Sequence, residues 1–193
     1  MVRRASTAAA ALGLGAGIGL ARRPAGAFGF GGSPSPAQDR AIFNFALLLE
    51  YLQAAFYTDA LKEGHLDGEV RQFAEVVSEH ERAHVQYLRK ALGPKARPRP
   101  QFDFGDATRS QKAFLKAAVT LENTGVLAYN GQAANLTKPA LAAAAEIVSV
   151  EGRHAAWISD LAGLPPAPRA ADVGVPSAEI VRTLQSTGFL KSS

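Results

Sequence analysis

Cysteine is absent from all 193 residues, which excludes disulfides, thiolate zinc sites and iron–sulfur clusters. A distributed excess of positive charge is missing as well. The formal charge is +4, and Arg3, Arg4, Arg22 and Arg23 account for the whole surplus of 21 basic over 17 acidic side chains. The rest of the chain is balanced, so nothing in it points to nucleic acid or an anionic membrane as a partner. No apolar run makes a convincing membrane span; the best, "ASTAAAALGLGAGIGLA", is short, weak and glycine-rich. Strand signals are missing too, which leaves an all-α chain.

The four arginines fall within residues 1–27, a stretch without acids. Arg3-Arg4, the weak apolar run, Arg22-Arg23 and the small-x-small triplet Ala25-Gly26-Ala27 read as an export signal resembling the twin-arginine type. The expected location is therefore periplasmic or otherwise outside the cytoplasm. Residues 28–35 open a linker of Gly, Ser and Pro, residues 36–163 form the folded unit, and residues 164–193 a C-terminal extension.

Within the folded unit, Ser35-Pro36-Ala37-Gln38 is a helix start and Gly64 a stop. A second helix is predicted over about 68–92, ending at Gly93-Pro94, and a third from near Thr108 to about Asn135. The fourth is opened by Thr137 and Pro139 and stopped at Gly163. A short fifth helix is predicted over 178–187, capped by Ser177. Four helices of about 25 residues, each about 38 Å long, with short connections within each pair, predict an antiparallel four-helix bundle.

The two helix pairs echo one another. Glu50 is followed by Tyr57, and Glu122 by Tyr129, seven residues on in each case. "ERAHVQYLRKALG" matches "EGRHAAWISDLAG", aligning Glu81 with Glu151 and His84 with His154. Each hairpin thus carries one glutamate inside an apolar run and one Glu-x-x-His pair on a single helix face. Bringing two such hairpins together about a two-fold axis gathers four carboxylates and two imidazoles at mid-bundle. That is the ligand set of dinuclear iron and manganese carboxylate proteins. Two divalent cations would also balance four buried carboxylates that otherwise repel one another. Oxygen and nitrogen donors without sulfur suit iron or manganese.

The string His80-Glu81-Arg82-Ala83-His84 is a literal H-E-x-x-H, the zinc signature of many metalloproteases. No histidine lies between His84 and His154 to complete such a site, and the echo helix has Val150 where His80 would be matched. His80 is therefore expected to be solvent-exposed or to sit behind a ligand. Tyr57 and Tyr129 are expected to be buried with satisfied hydroxyls; as alternatives they would hydrogen-bond ligands or relay electrons.

From about Asp39 to Gly163 the phrases "FNFALLLEYLQAAFY", "SEHERAHVQYL", "GVLAYNG" and "VSVEGRHAAWI" resemble exported bacterial ferritin-like domain proteins, related to plant desiccation-related proteins. The resemblance implies that Glu81 and Glu151 bridge two metals, with Glu50 and Glu122 as terminal ligands and one of His84 and His154 on each metal. It implies two iron ions, with two manganese or a mixed pair as alternatives, and dioxygen or peroxide as the reactant. The implied activities are Fe(II) oxidation or peroxide consumption. A dimanganese catalase-like enzyme and a non-enzymatic, metal-stabilised protection protein are the alternatives. Catalytic residues beyond the metal centre are not assigned by the pattern, and a homo-oligomer is compatible with it.

Overall fold

A computed structural model describes residue 30 and residues 33–191 of the chain. The expected export signal, 1–27, lies outside the described residues, as does half of the linker. The described residues form α1 (Pro36–Glu63), α2 (Gly68–Leu92), α3 (Gln111–Gln132), α4 (Lys138–Leu161) and α5 (Ser177–Thr187), with no strand among them. The fold is the all-α bundle read from the sequence, with the short C-terminal helix added.

Local chemistry explains the helix ends. The Ser35 hydroxyl accepts from the Gln38 backbone N–H, Pro36 fills the first turn, and Gly64 ends α1 at φ 74°, a left-handed conformation that costs glycine little. Thr137 precedes α4, but its hydroxyl donates to Asp39 at 2.6 Å instead of capping its own helix, and its N–H reaches the same carboxylate at 2.9 Å. The second hairpin is thereby tied to the start of the first.

Two boundaries differ from expectation. α3 begins at Gln111, because Ser110 caps it by accepting from the Ala113 N–H. The preceding Gly105–Thr108 is a 3-10 turn whose Thr108 is buried and donates to Asp59. α5 begins at Ser177 with Pro176 in the capping position and no side-chain cap bond, so Ser177 is the first helical residue and not its cap.

The helices run antiparallel, as their cross-links show. Glu50 faces Tyr129 and Tyr57 faces Glu122 between α1 and α3, while Tyr87 bonds Glu146 and Trp157 bonds Glu69 between α2 and α4. The core divides into two apolar clusters. One contains Phe56, Phe73, Phe104, Phe114, Ile180 and Leu184; the other contains Ile42, Leu47, Leu88, Leu92, Leu136 and Ile147. Phe56 stacks on Phe114 with ring centroids 5.3 Å apart. The glutamates and histidines of the two hairpins occupy the middle of the bundle, between these clusters.

The C-terminal segment is held against α3 by close backbone approach. The Val175 N–H donates to the Leu127 carbonyl at 3.1 Å. A Cβ on Gly131 would lie 2.0 Å from the Val175 carbonyl oxygen, a contact that no side-chain rotation relieves. Gly131→Ala is therefore expected to push the segment off the bundle and destabilise the protein by about 3 kcal/mol, at the upper end of overpacking costs. Gly152→Ala, where nothing lies within 4 Å, should instead stabilise by up to about 1 kcal/mol through helix propensity. Denaturant midpoints of the two variants check both signs.

Candidate metal centre

Four helices each contribute to one buried cluster. Glu50 comes from α1, Glu81 and His84 from α2, Glu122 from α3, and Glu151 and His154 from α4. Glu50, Glu81, Glu122 and Glu151 are each at most 1% exposed. Their donor atoms form two groups that could each hold a metal ion: Glu50, Glu81, His84 and Glu151, and Glu81, Glu122, Glu151 and His154, with all atoms of a group within 4.8 Å of one another. Glu81 and Glu151 belong to both groups.

The geometry around each imidazole suits a cation better than a proton. His84 Nδ1 has carboxylate oxygens of Glu151 at 3.1 Å, Glu50 at 3.2 Å and Glu81 at 3.7 Å. His154 Nδ1 has those of Glu81 and Glu122 at 3.3 Å and Glu151 at 3.8 Å. One N–H points in a single direction and cannot serve three oxygens. Metal–ligand bonds of about 2.1 Å place neighbouring donor atoms about 3.0 to 3.4 Å apart, close to most of these separations. Both oxygens of Glu81 and of Glu151, Oε2 of Glu122 and Nδ1 of His154 are also buried without a well-formed hydrogen bond. Buried polar atoms are rarely left so; bound metal ions would supply what these lack.

The terminal carboxylates are held from behind. Tyr129 donates to Glu50 Oε1 at 2.5 Å, and Tyr57 donates to Glu122 Oε1. Each tyrosine thus serves the glutamate of the opposite hairpin, leaving Oε2 of that glutamate turned toward a histidine. Burial, followed by the neighbouring glutamate, pushes both phenols well above their usual range. They stay protonated donors at any physiological pH. Gln53 adds a bond to Glu122 Oε1 at 3.0 Å. Sequence reasoning missed Gln53; its signal was a polar side chain in an otherwise apolar run, one turn beyond Glu50.

In the metal-free state the charges are uneven. Burial, then Glu50, pushes the Glu81 carboxyl well up, and burial, then Glu81, does the same to Glu151. Burial raises the Glu50 carboxyl, but His84, followed by the neighbouring Glu81 and the Tyr129 hydroxyl, holds it below the ordinary carboxylate range. Burial pulls His84 down, yet Glu151, Glu50 and Glu81 together hold it at about 12.

His80 is exposed, and its Nδ1 lies 2.9 Å from His154 Nε2. It thus lies at the surface and beside a candidate ligand, where the sequence left the two as alternatives. Burial, then His154, depresses its pKa. His80 and His84 do not share a cluster, so the two histidines of the H-E-x-x-H string have different surroundings.

Gly125 also went unnoticed in the sequence. It stands where the duplication would place the counterpart of Gln53, and a Cβ there would lie 2.9 Å from Glu151 Oε2. A free carboxylate can swing away from such a contact, but one held by bound metal could not. Gly125→Ala is expected to leave the metal-free melting temperature nearly unchanged and to weaken metal binding at least tenfold, measured by titration with Mn(II).

A four-helix bundle with two glutamate–histidine groups sharing a pair of carboxylates defines the class of ferritin-like proteins able to hold a dinuclear metal site. A family model for the ferritin-like domain matches residues 38–164, and the chain belongs to that family. No curated protein matches it.

Proposed function

We propose that this is an exported ferritin-like protein whose bundle holds a dinuclear iron or manganese centre, and that the centre oxidises Fe(II) or consumes dioxygen or peroxide. The observation that carries the reading is the pair of donor groups sharing Glu81 and Glu151. In this reading those two carboxylates would be shared by both metals, while Glu50 with His84 and Glu122 with His154 would complete one metal each. The metals would supply redox chemistry with oxygen, which no side chain of this cysteine-free chain provides.

The protein's own contribution is to hold and to exclude. Tyr57, Tyr129 and Gln53 fix the terminal carboxylates so that one oxygen of each faces inward. Apolar clusters above and below limit water to what enters between the helices. Four carboxylates offset the charge of two divalent cations, so the assembled centre is close to neutral before the histidines are counted.

Anaerobic titration with Fe(II) should saturate at two ions per chain, and subsequent dioxygen or peroxide should produce ferric absorption. Saturation at one ion, or retention of zinc alone, would contradict the reading. Two ions bound without turnover would make the centre structural. Among the described residues no helix is long and apolar enough to cross a membrane. Export rests on Arg3-Arg4 and Ala25-Gly26-Ala27; changing both arginines to Lys should strand the precursor in the cytoplasm, and unaffected processing would discard the twin-arginine route.

A further inference from the structure

The contact between His80 and His154 has no mirror image in the duplicated hairpins. His80, one turn before His84 on α2, places Nδ1 2.9 Å from His154 Nε2, with the ring planes 17° apart. Exchanging the hairpins converts His80 into Val150 and His154 into His84, and valine has no polar atom to offer. Among the described residues, the hydrogen bond recorded for His84 is made by Nδ1, toward Glu50, and none reaches its Nε2. The two imidazoles are thus equivalent on the side that faces the carboxylates and different behind it.

A ligating Nδ1 carries no proton, so Nε2 of the same ring must carry one. For His154 that proton points at His80 Nδ1, which accepts it. Such a bond fixes the tautomer and ring orientation and makes the ligating nitrogen a better donor. We propose that His80 is a positioning residue for one metal alone. It makes the Glu122–His154 position the tighter half of the centre and leaves the Glu50–His84 position as the half where metal exchanges. The inference rests on the dinuclear reading above. The His84 side chain is also the more accessible of the two, 11% exposed against 4% for His154, which suits an exchanging position.

Anaerobic cobalt(II) titration of the full chain tests this, because both steps are visible optically. The parent should bind two ions in two resolved steps. His80→Val should weaken the tighter step about 10- to 100-fold, the usual effect of losing a hydrogen bond behind a metal ligand, and leave the weaker step within twofold. His80→Gln, whose amide oxygen still accepts, should recover most of the loss. His80 is exposed, so neither change touches the core. Histidine ¹⁵N spectra of the metal-free protein provide the second readout: His80→Val should shift the ring nitrogens of His154 and leave those of His84 in place. Two cobalt steps unmoved by His80→Val, both steps weakened equally, or unshifted His154 nitrogens would overturn the proposal alone. Failure of the parent to bind a second cobalt would overturn the dinuclear reading and this inference with it.

Discussion

Replacing Glu81 with Leu is expected to remove both metals from the protein while making its metal-free form more stable than the parent. Glu81 is completely buried and belongs to both donor groups, so its loss dismantles two positions at once. Without metal the same side chain is a liability, because burial and Glu50 push its carboxyl well up and neither oxygen has a sound hydrogen bond. A buried, protonated carboxyl without a sound hydrogen bond costs about 1 to 3 kcal/mol, a cost that an apolar side chain of similar size avoids. With saturating metal the order should invert, since only the parent gains binding energy. Paired melting curves, with Mn(II) and with chelator, read both signs. A variant less stable than the parent in chelator, or one that still binds two ions, would contradict the assignment of Glu81 as a shared ligand. His154→Ala should be milder, losing or weakening one ion.

The second large effect is the dependence of metal stabilisation on pH. Glu81 and Glu151 are held well above their unfolded value of 4.5, and His84 is raised from 6.5 to about 12. All three bind protons more tightly when the metal-free protein is folded. Their contribution to stability is complete below the unfolded values and is lost as pH rises through the folded ones. Between pH 5 and 8 the metal-free protein should therefore lose stability. Metal must displace these protons, so its affinity rises over the same range. At a thousandfold excess over Kd each site contributes about 4 kcal/mol. At about 2 to 4 °C per kcal/mol for a chain of this size, two sites would raise the melting temperature roughly 15 to 30 °C near pH 8. Little should remain near pH 5. A shift that stayed constant or grew on acidification would contradict the site.

What the sequence made legible divides along a physical line. The six glutamates and histidines that the structure brings together were readable because Glu-x-x-His is a relation within one helix, and the echo repeats it. Helix ends marked by Ser35, Gly64 and Gly93 were readable for the same reason. Relations between helices were not. Tyr57 lies two turns from Glu50 in the sequence, but the antiparallel register of α1 and α3 delivers its hydroxyl to Glu122. Which face of α4 His80 would meet also depends on how α2 and α4 pack, which no spacing within either helix encodes. The approach of Phe102 to Leu190, joining the connector to the C-terminus, has no local signature at all. The start of α3 was a different kind of error: Ser110 was a legible cap, passed over for Thr108, whose hydroxyl is occupied by Asp59.

The crossing of Tyr57 and Tyr129 to opposite glutamates has a consequence for the halves of the molecule. A lone hairpin would contain a glutamate without its tyrosine and a tyrosine without its glutamate, so it is not a smaller site but half of one. Two identical hairpins associating about a two-fold axis would already complete every such pairing. What that symmetric assembly could never have is Gln53 in one half with Gly125 as its counterpart in the other, or His80 with Val150, because each substitution would appear twice. Covalent union of the hairpins is what permits one copy to change while the other stays as it was. The two donor groups of this chain are free to specialise only because a single polypeptide encodes them separately.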